Sequence, residues 1–187
     1  MVAAARARGA GAPLIHAAAE RAWLPRLGEL MIRPLLPGDI GAYRAFGAKL
    51  ARDDLRLRFA GLVKLDDPAF CARLLDIDHD RVEVLAAFDA AGTMLGVARL
   101  CRTAPAEAEA ALIVRSDLKR RGLGRLLLDQ LARYAVAHGI DTLSAQVLHE
   151  NYPMLRLAMA AGFHAAATSG FLVELRTPLP QGCGFDL

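Results

Sequence analysis

A chain of 187 residues with 55% hydrophobic content is long enough for one core and too short for two ordinary domains. No apolar run approaches the roughly 20 residues of a membrane span, and three cysteines and five histidines are scattered without metal or disulfide spacing, which points to a reducing cytoplasm and no bound metal. The net charge of +3 is modest and no helix-turn-helix, finger or RNA-binding signature accompanies it, so neither nucleic acid nor a membrane is an expected partner.

Residues 1–29 are dominated by Ala, Arg and Gly and read as a flexible N-terminal extension, with Leu14, Ile15, Ala18, Ala19 and Trp23 as one weak helical stripe. The main domain is expected over 30–176. Its first strand is Ile32-Arg33-Pro34-Leu35. Pro37-Gly38-Asp39 then supplies a turn and an N-cap for a helix over 40–50, with further helical pieces at 53–59 and 67–75. Strand-like runs at 82–88 and 93–102 flank Asp89-Ala90-Ala91-Gly92, a hairpin signal, and 106–114 is the next strand. Leu126, Leu127, Leu131, Tyr134 and Ala135 recur at helical spacing up to His138-Gly139, and 142–148 reads as a short buried strand. A helix follows with both ends written in: Asn151 as cap, Pro153 in the first turn, Gly162-Phe163 as the stop. A last strand at 171–175 precedes an irregular tail, 177–187. The class is α/β, a mixed and mainly antiparallel central sheet of about six or seven strands flanked by helices.

The stretch that carries chemistry is Leu112-Ile113-Val114-Arg115-Ser116-Asp117-Leu118-Lys119-Arg120-Arg121-Gly122-Leu123-Gly124-Arg125, where a strand runs through a basic, glycine-bearing loop into a helix. The first helical turn leaves N–H groups unpartnered at the positive end of the helix dipole, so this order builds a site for phosphate or pyrophosphate. Glycine lets an oxygen-rich ligand approach the backbone closely. Two common phosphate loops fail on spacing. A Rossmann fingerprint needs a small residue where Leu127 stands, and a Walker loop needs Gly-Lys-Ser/Thr where Gly124 is followed by Arg125 and Leu126. On the residues alone, 119–124 also suits a surface turn, Arg120 and Arg121 a solvated basic face, Leu112 and Val114 core positions, and Asn151 a simple cap.

Lys119-Arg120-Arg121-Gly122-Leu123-Gly124 resembles the Gln/Arg-x-x-Gly-x-Gly/Ala loop of the GNAT superfamily of N-acetyltransferases, with Lys119 where Gln or Arg is usual. Asn151 through Leu157, followed by Gly162-Phe163, is similar to that family's second coenzyme-binding segment. Over roughly 31–175 the chain further resembles the acetyltransferase domain of bacterial protein-lysine acetyltransferases, through Arg33-Pro34, Asp54-Leu55-Arg56-Leu57-Arg58-Phe59, Gly96-Val97-Ala98-Arg99, Glu109, Val114-Arg115-Ser116-Asp117 and Asn151 with Met154-Leu155. The resemblance implies the GNAT fold and acetyl-coenzyme A as cosubstrate. It places the pyrophosphate on Lys119, Arg120, Arg121, Gly122, Leu123, Gly124 and Arg125, and the pantetheine arm beside Asn151. The thioester carbonyl falls on a main-chain N–H among Leu112, Ile113 and Val114, where family members splay adjacent strands. The implied acceptor is an exposed lysine of a protein such as an acyl-coenzyme A synthetase. A small amine is the second acceptor class, and a non-catalytic acyl-coenzyme A sensor is the third reading.

Acetyl transfer to an amine needs a base, because a lysine amine is almost wholly protonated at neutral pH. Glu107 and Glu109 alternate onto one face of their strand with Ala111 and Ile113. Glu109, flanked by alanines, is the better candidate, since partial burial raises a carboxyl pKa toward a useful value. The resemblance puts the proposed catalytic glutamate at the same position, and the other role open to it is a structural carboxylate paired with an arginine. The tyrosine that many family members carry seven residues after the segment's asparagine falls on Ala158. The proton donor to the leaving thiolate is therefore unassigned. Arg52, Asp53, Asp54, Arg56 and Arg58 form a mixed-charge patch that suits a protein surface around a lysine better than an enclosed apolar pocket.

Overall fold

Alternating apolar side chains gather the strands of the chain into one sheet, seen in a computed structural model that describes residues 19–61, 63, 70 and 74–180. Its strands are β1 (Glu20–Leu24), β2 (Gly28–Pro34), β3 (Val82–Asp89), β4 (Met94–Ala104), β5 (Glu107–Val114), β6 (Thr142–Leu148), β7 (His164–Ser169) and β8 (Leu172–Pro178). The helices among the described residues are α1 (Ile40–Gly47), α2 (Arg52–Phe59), α3 (Leu123–Ala137) and α4 (Tyr152–Ala160). The sheet order is β1-β2-β3-β4-β5-β6-β8-β7, and only β5 and β6 run parallel. Most of the helical piece expected at 67–75 lies outside the described residues, as do 1–18 and 181–187.

Strand alternation divides the interior into two cores. On one face, Leu123, Leu127, Leu131 and Ala135 of α3 pack on Leu85, Ala87, Ala98, Leu100, Ala108 and Ala110, joined by Ala158 of α4 and Phe163. On the other, Tyr43 and Phe46 of α1 and Leu55 of α2 pack on Val84, Ala86, Val97 and Ile113. The 15 residues of α3 present their leucines at i, i+4 and i+8 to one side, which is why a helix with few charges forms here and lies flat on the sheet. Gly139 and Gly162, at φ +71° and +87°, end α3 and α4 where the sequence predicts stops.

Three sequence expectations need correction. The sheet has eight strands among the described residues. The two extra ones, β1 and β7, lack an apolar alternation: β7 is exposed throughout and β1 nearly so. Residues 20–29, read as extension, form a hairpin with β2 in which Glu20 lies opposite Ile32, and Trp23 sits on a strand rather than a helical stripe. Thr177 and Pro178, read as tail, continue β8 opposite Leu143 and Thr142, and Leu179 is buried, donating its N–H to the Asp141 carbonyl at 2.7 Å.

Asp39 precedes α1 as predicted, yet its carboxylate does not cap that helix. It accepts two bonds from the Arg33 guanidinium, both 2.7 Å, and one from the Leu36 N–H at 2.8 Å, tying the end of β2 to the start of α1. Arg33 also lies 4.2 Å from the centre of the Phe88 ring. The Arg33 hydrogen bonds hold the Asp39 carboxyl below its usual range against the opposing effect of burial. Because the folded-state pKa is depressed, this pair stabilises the protein above the unfolded carboxylate value near about 4 and loses that contribution as pH falls below it. Asp39→Asn is expected to cost about 1–3 kcal/mol at neutral pH and to flatten the acid limb of a Tm-against-pH curve. An unchanged acid limb would remove the pair from the account.

Candidate active site

The loop that the sequence singles out arrives at α3 through a left-handed pair, Arg120 at φ +59° and Gly122 at φ +90°. Gly122 is the N-cap of α3, a conformation in which a side chain would be strained. The first intrahelical bond runs from the Leu126 N–H to the Gly122 carbonyl at 3.0 Å, leaving the amides of Leu123, Gly124 and Arg125 outside the helical ladder. A Cβ added at Gly124 would stand 3.3 Å from Leu157 of α4 and 3.8 Å from Leu112 of β5, so strand, loop and both helices converge on this glycine. Next to Gly122, Leu24 at the end of β1 would lie 3.4 Å from an added Cβ. The terminal hairpin is part of the loop's surroundings.

The charged side chains of the loop divide by role. Arg120 and Arg121 are exposed and make no ion pair among the described residues. Lys119 is turned onto the carboxylate of Asp54 in α2, which also accepts from the Ser116 hydroxyl at 2.5 Å. Arg125 binds Asp129 through Nε at 2.9 Å and the Ala160 carbonyl through Nη1 at 2.8 Å, clamping α3 to the end of α4. What Lys119 and Arg125 offer an anion is therefore main chain, with their cationic heads already engaged.

β5 is held along its whole length by β4, from Glu107 opposite Ala104 to Val114 opposite Gly96. Against β6 it pairs only at Glu107, Ala108 and Glu109, opposite Thr142, Leu143 and Ser144. Beyond Glu109 the two parallel strands part, and among the described residues the edge of β5 at Ala110, Ala111, Leu112, Ile113 and Val114 has no strand partner on that side. Asn151, at the far wall of this split, accepts from the Met154 N–H through Oδ1 at 3.3 Å, so it caps α4 and its side-chain NH2 has no partner among the described residues. α2 crosses between the walls: Asp54 reaches the loop after β5, and Arg56 pairs with Glu150 beside Asn151 at 2.5 Å. Of the patch that sequence reads as a protein-facing surface, only Arg52 and Asp53 remain exposed and uncommitted.

The two glutamates separate cleanly. Glu107 is ion-paired with Arg176 of β8 at 2.6 Å. Glu109, half-buried at the point where the strands part, accepts no hydrogen bond among the described residues. It faces α1 and α2, opposite Cys101, whose thiol burial pushes up and keeps protonated near neutral pH. Sequence reasoning missed a neighbour here: Arg58 of α2 points inward to this face, its guanidinium 4.8 Å from the centre of the Phe59 ring. Burial depresses its pKa, with Arg99 adding to the effect and Tyr43 and Glu109 opposing it. The signal lay in the pattern of α2, whose alternate charges cannot all face water.

No phenol substitutes at Ala158, which is fully buried. Tyr134 donates from its hydroxyl to the buried Glu83 at 3.3 Å, and burial followed by that carboxylate pushes its pKa up, so it belongs to a core network at the opposite end of α3. Tyr152 is 62% exposed. Among the described residues no group of His, Cys, Asp or Glu could hold a metal ion, and no helix is long and apolar enough to cross a membrane.

A sequence model described as the Acetyltransferase (GNAT) family matches residues 51–163, which spans α2, the split strands, the glycine loop and α4. The chain belongs to the GNAT acetyltransferase family. The GNAT domain of S. lividans PAT superposes with a TM-score of 0.81 at 23% identity, covering 86% of this chain and 97% of that one. Spermidine N-acetyltransferase from Vibrio cholerae, in complex with CoA and spermine, gives 0.66 at 15% identity, covering 81% and 96%. A cAMP-binding acyltransferase from Mycobacterium smegmatis gives 0.61 at 23%, covering 87% of this chain and 48% of that one. The protein is thus a GNAT N-acetyltransferase with a mixed α/β sheet, and acetyl-CoA is the cosubstrate that GNAT acetyltransferases use. The features described fit such a ligand: free amides at a helix N-terminus for a pyrophosphate, two uncommitted arginines beside them, and an unpaired strand edge for an amide-bearing arm.

Proposed function

We propose that this GNAT enzyme acetylates lysine side chains of a protein acceptor, with Glu109 as the base. The observation that carries the catalytic part is the contrast at β5, where Glu107 is locked to Arg176 and Glu109, where the strands part, accepts no hydrogen bond among the described residues. In this reading the amides of Leu123, Gly124 and Arg125, with Arg120 and Arg121, hold the pyrophosphate. The unpaired edge at Leu112, Ile113 and Val114 orients the thioester carbonyl, and the NH2 of Asn151 faces the pantetheine arm. Glu109 takes the proton from the entering ammonium, so that the amine lone pair attacks the carbonyl carbon and the thiolate leaves. A water reaching the split passes the second proton of the attacking nitrogen to the departing thiolate, leaving a neutral amide and free coenzyme A.

A protein acceptor is supported by the likeness to the S. lividans protein acetyltransferase. Cations near that face, Arg58 and Arg99, would repel the several charges of spermine or spermidine. A sensor without catalysis would need Glu109 in a structural ion pair, and it makes none among the described residues. Incubation with acetyl-CoA and candidate proteins, acyl-CoA synthetases among them, is expected to yield acetyl-lysine by mass spectrometry well above the enzyme-free rate. Rapid acetylation of a free small amine with no protein product would replace the reading by a small-molecule one.

A further inference from the structure

Among the described residues, the face beneath α1 and α2 carries more positive charge around Glu109 than its partners neutralise. Arg99 lies opposite Ala111, and Cys101 opposite Glu109, so Arg99 and Glu109 are diagonal neighbours on one face of the sheet. Such neighbours stand roughly 7–8 Å apart. Arg58 reaches the same place from α2 and is half-buried, with Phe59 its stacking partner and no hydrogen bond or ion pair among the described residues. Arg99 donates one bond, from Nη1 to the Leu74 carbonyl at 2.7 Å. Half-buried arginines elsewhere hold a carboxylate: Arg33 with Asp39, Arg125 with Asp129, Arg176 with Glu107. A guanidinium offers five N–H donors in a fork that matches a carboxylate, and sheltering it from water without an anion is costly.

We propose that Arg58 and Arg99 bind a carboxylate carried beside the acceptor amine, fixing the amine in front of Glu109. The inference rests on the acetyl-transfer reading of this face and names the chemistry of its substrate: an amine with an anionic neighbour. Two sources can provide it, a protein lysine next to an acidic residue or a free amino acid, and the test distinguishes them. Acceptors are compared in pairs that differ only in charge. One set is lysine peptides with Asp or Glu beside the lysine against their Asn or Gln counterparts, and the other is amino acids against their carboxamides.

For the intact chain with acetyl-CoA, kcat/KM is expected to favour the carboxylate member by about ten- to a hundredfold in the set that represents the true source. Arg58→Gln and Arg99→Gln should each shrink that preference through KM with little change in kcat, while stabilisation by acetyl-CoA in a thermal melt shows the fold intact. Arg58→Lys, which keeps the charge and loses the fork, should fall between. Acetylation without preference for the carboxylate member, or a preference that survives both Gln variants, overturns this inference alone. Failure of the wild type to acetylate any amine in either set overturns the acetyl-transfer reading with it.

Discussion

Glu109→Gln is expected to lower kcat by roughly two to four orders of magnitude, the range for loss of a general base, while acetyl-CoA still stabilises the protein. The amide is nearly isosteric and Glu109 has no bonded partner among the described residues to lose, so the change removes the proton acceptor and leaves the packing in place. Glu107→Gln is the matched control on the same strand face. Its carboxylate is committed to Arg176, so its loss is expected to appear in stability before turnover. Steady-state rates for both variants across pH, with calorimetric titration of acetyl-CoA, make the comparison. Wild-type activity of Glu109→Gln at every pH would place the base elsewhere.

Gly124→Glu is expected to abolish coenzyme binding. In the wild type, acetyl-CoA at about 100 times its dissociation constant should add roughly 2.7 kcal/mol to the unfolding free energy. The variant would set a negative charge beside the free amides and drive a side chain toward Leu157 and Leu112, within 3.3 and 3.8 Å of its Cβ. Gly124→Ala brings the same steric contact without the charge, against flexible leucine ends that can shift by tenths of an ångström, and should keep part of the ligand-induced shift. A full shift in the Glu variant would move the pyrophosphate off this loop.

The basic loop, the helices α3 and α4 and the Glu109 strand were legible because their signals are local. Gly122 and Gly124 fall at a strand-to-helix turn, α3 repeats its leucines every turn, and Asn151 with Gly162 brackets α4. β1 and β7 were not, since edge strands bury little and their residues show no period-two pattern. The charges of α2 were misjudged for a different reason. Asp54 finds Lys119 and Ser116 more than sixty residues on, and Arg56 finds Glu150 still further along, so much of a patch that reads in sequence as a protein-facing surface is spent on tertiary contacts. Charge alone names no partner. The depressed Asp39 carboxyl is a similar case, since a residue spaced as a helix cap is claimed by an arginine on the preceding strand.

α2 spans the gap where β5 and β6 part, with Asp54 fastened to the glycine loop's approach and Arg56 to the turn before α4, while Arg58 on its inner side faces Glu109. In the proposed reading, one short helix therefore touches both the coenzyme site and the acceptor site. Where binding at one site shifts α2, thermodynamic reciprocity requires each substrate to change the other's affinity by the same factor.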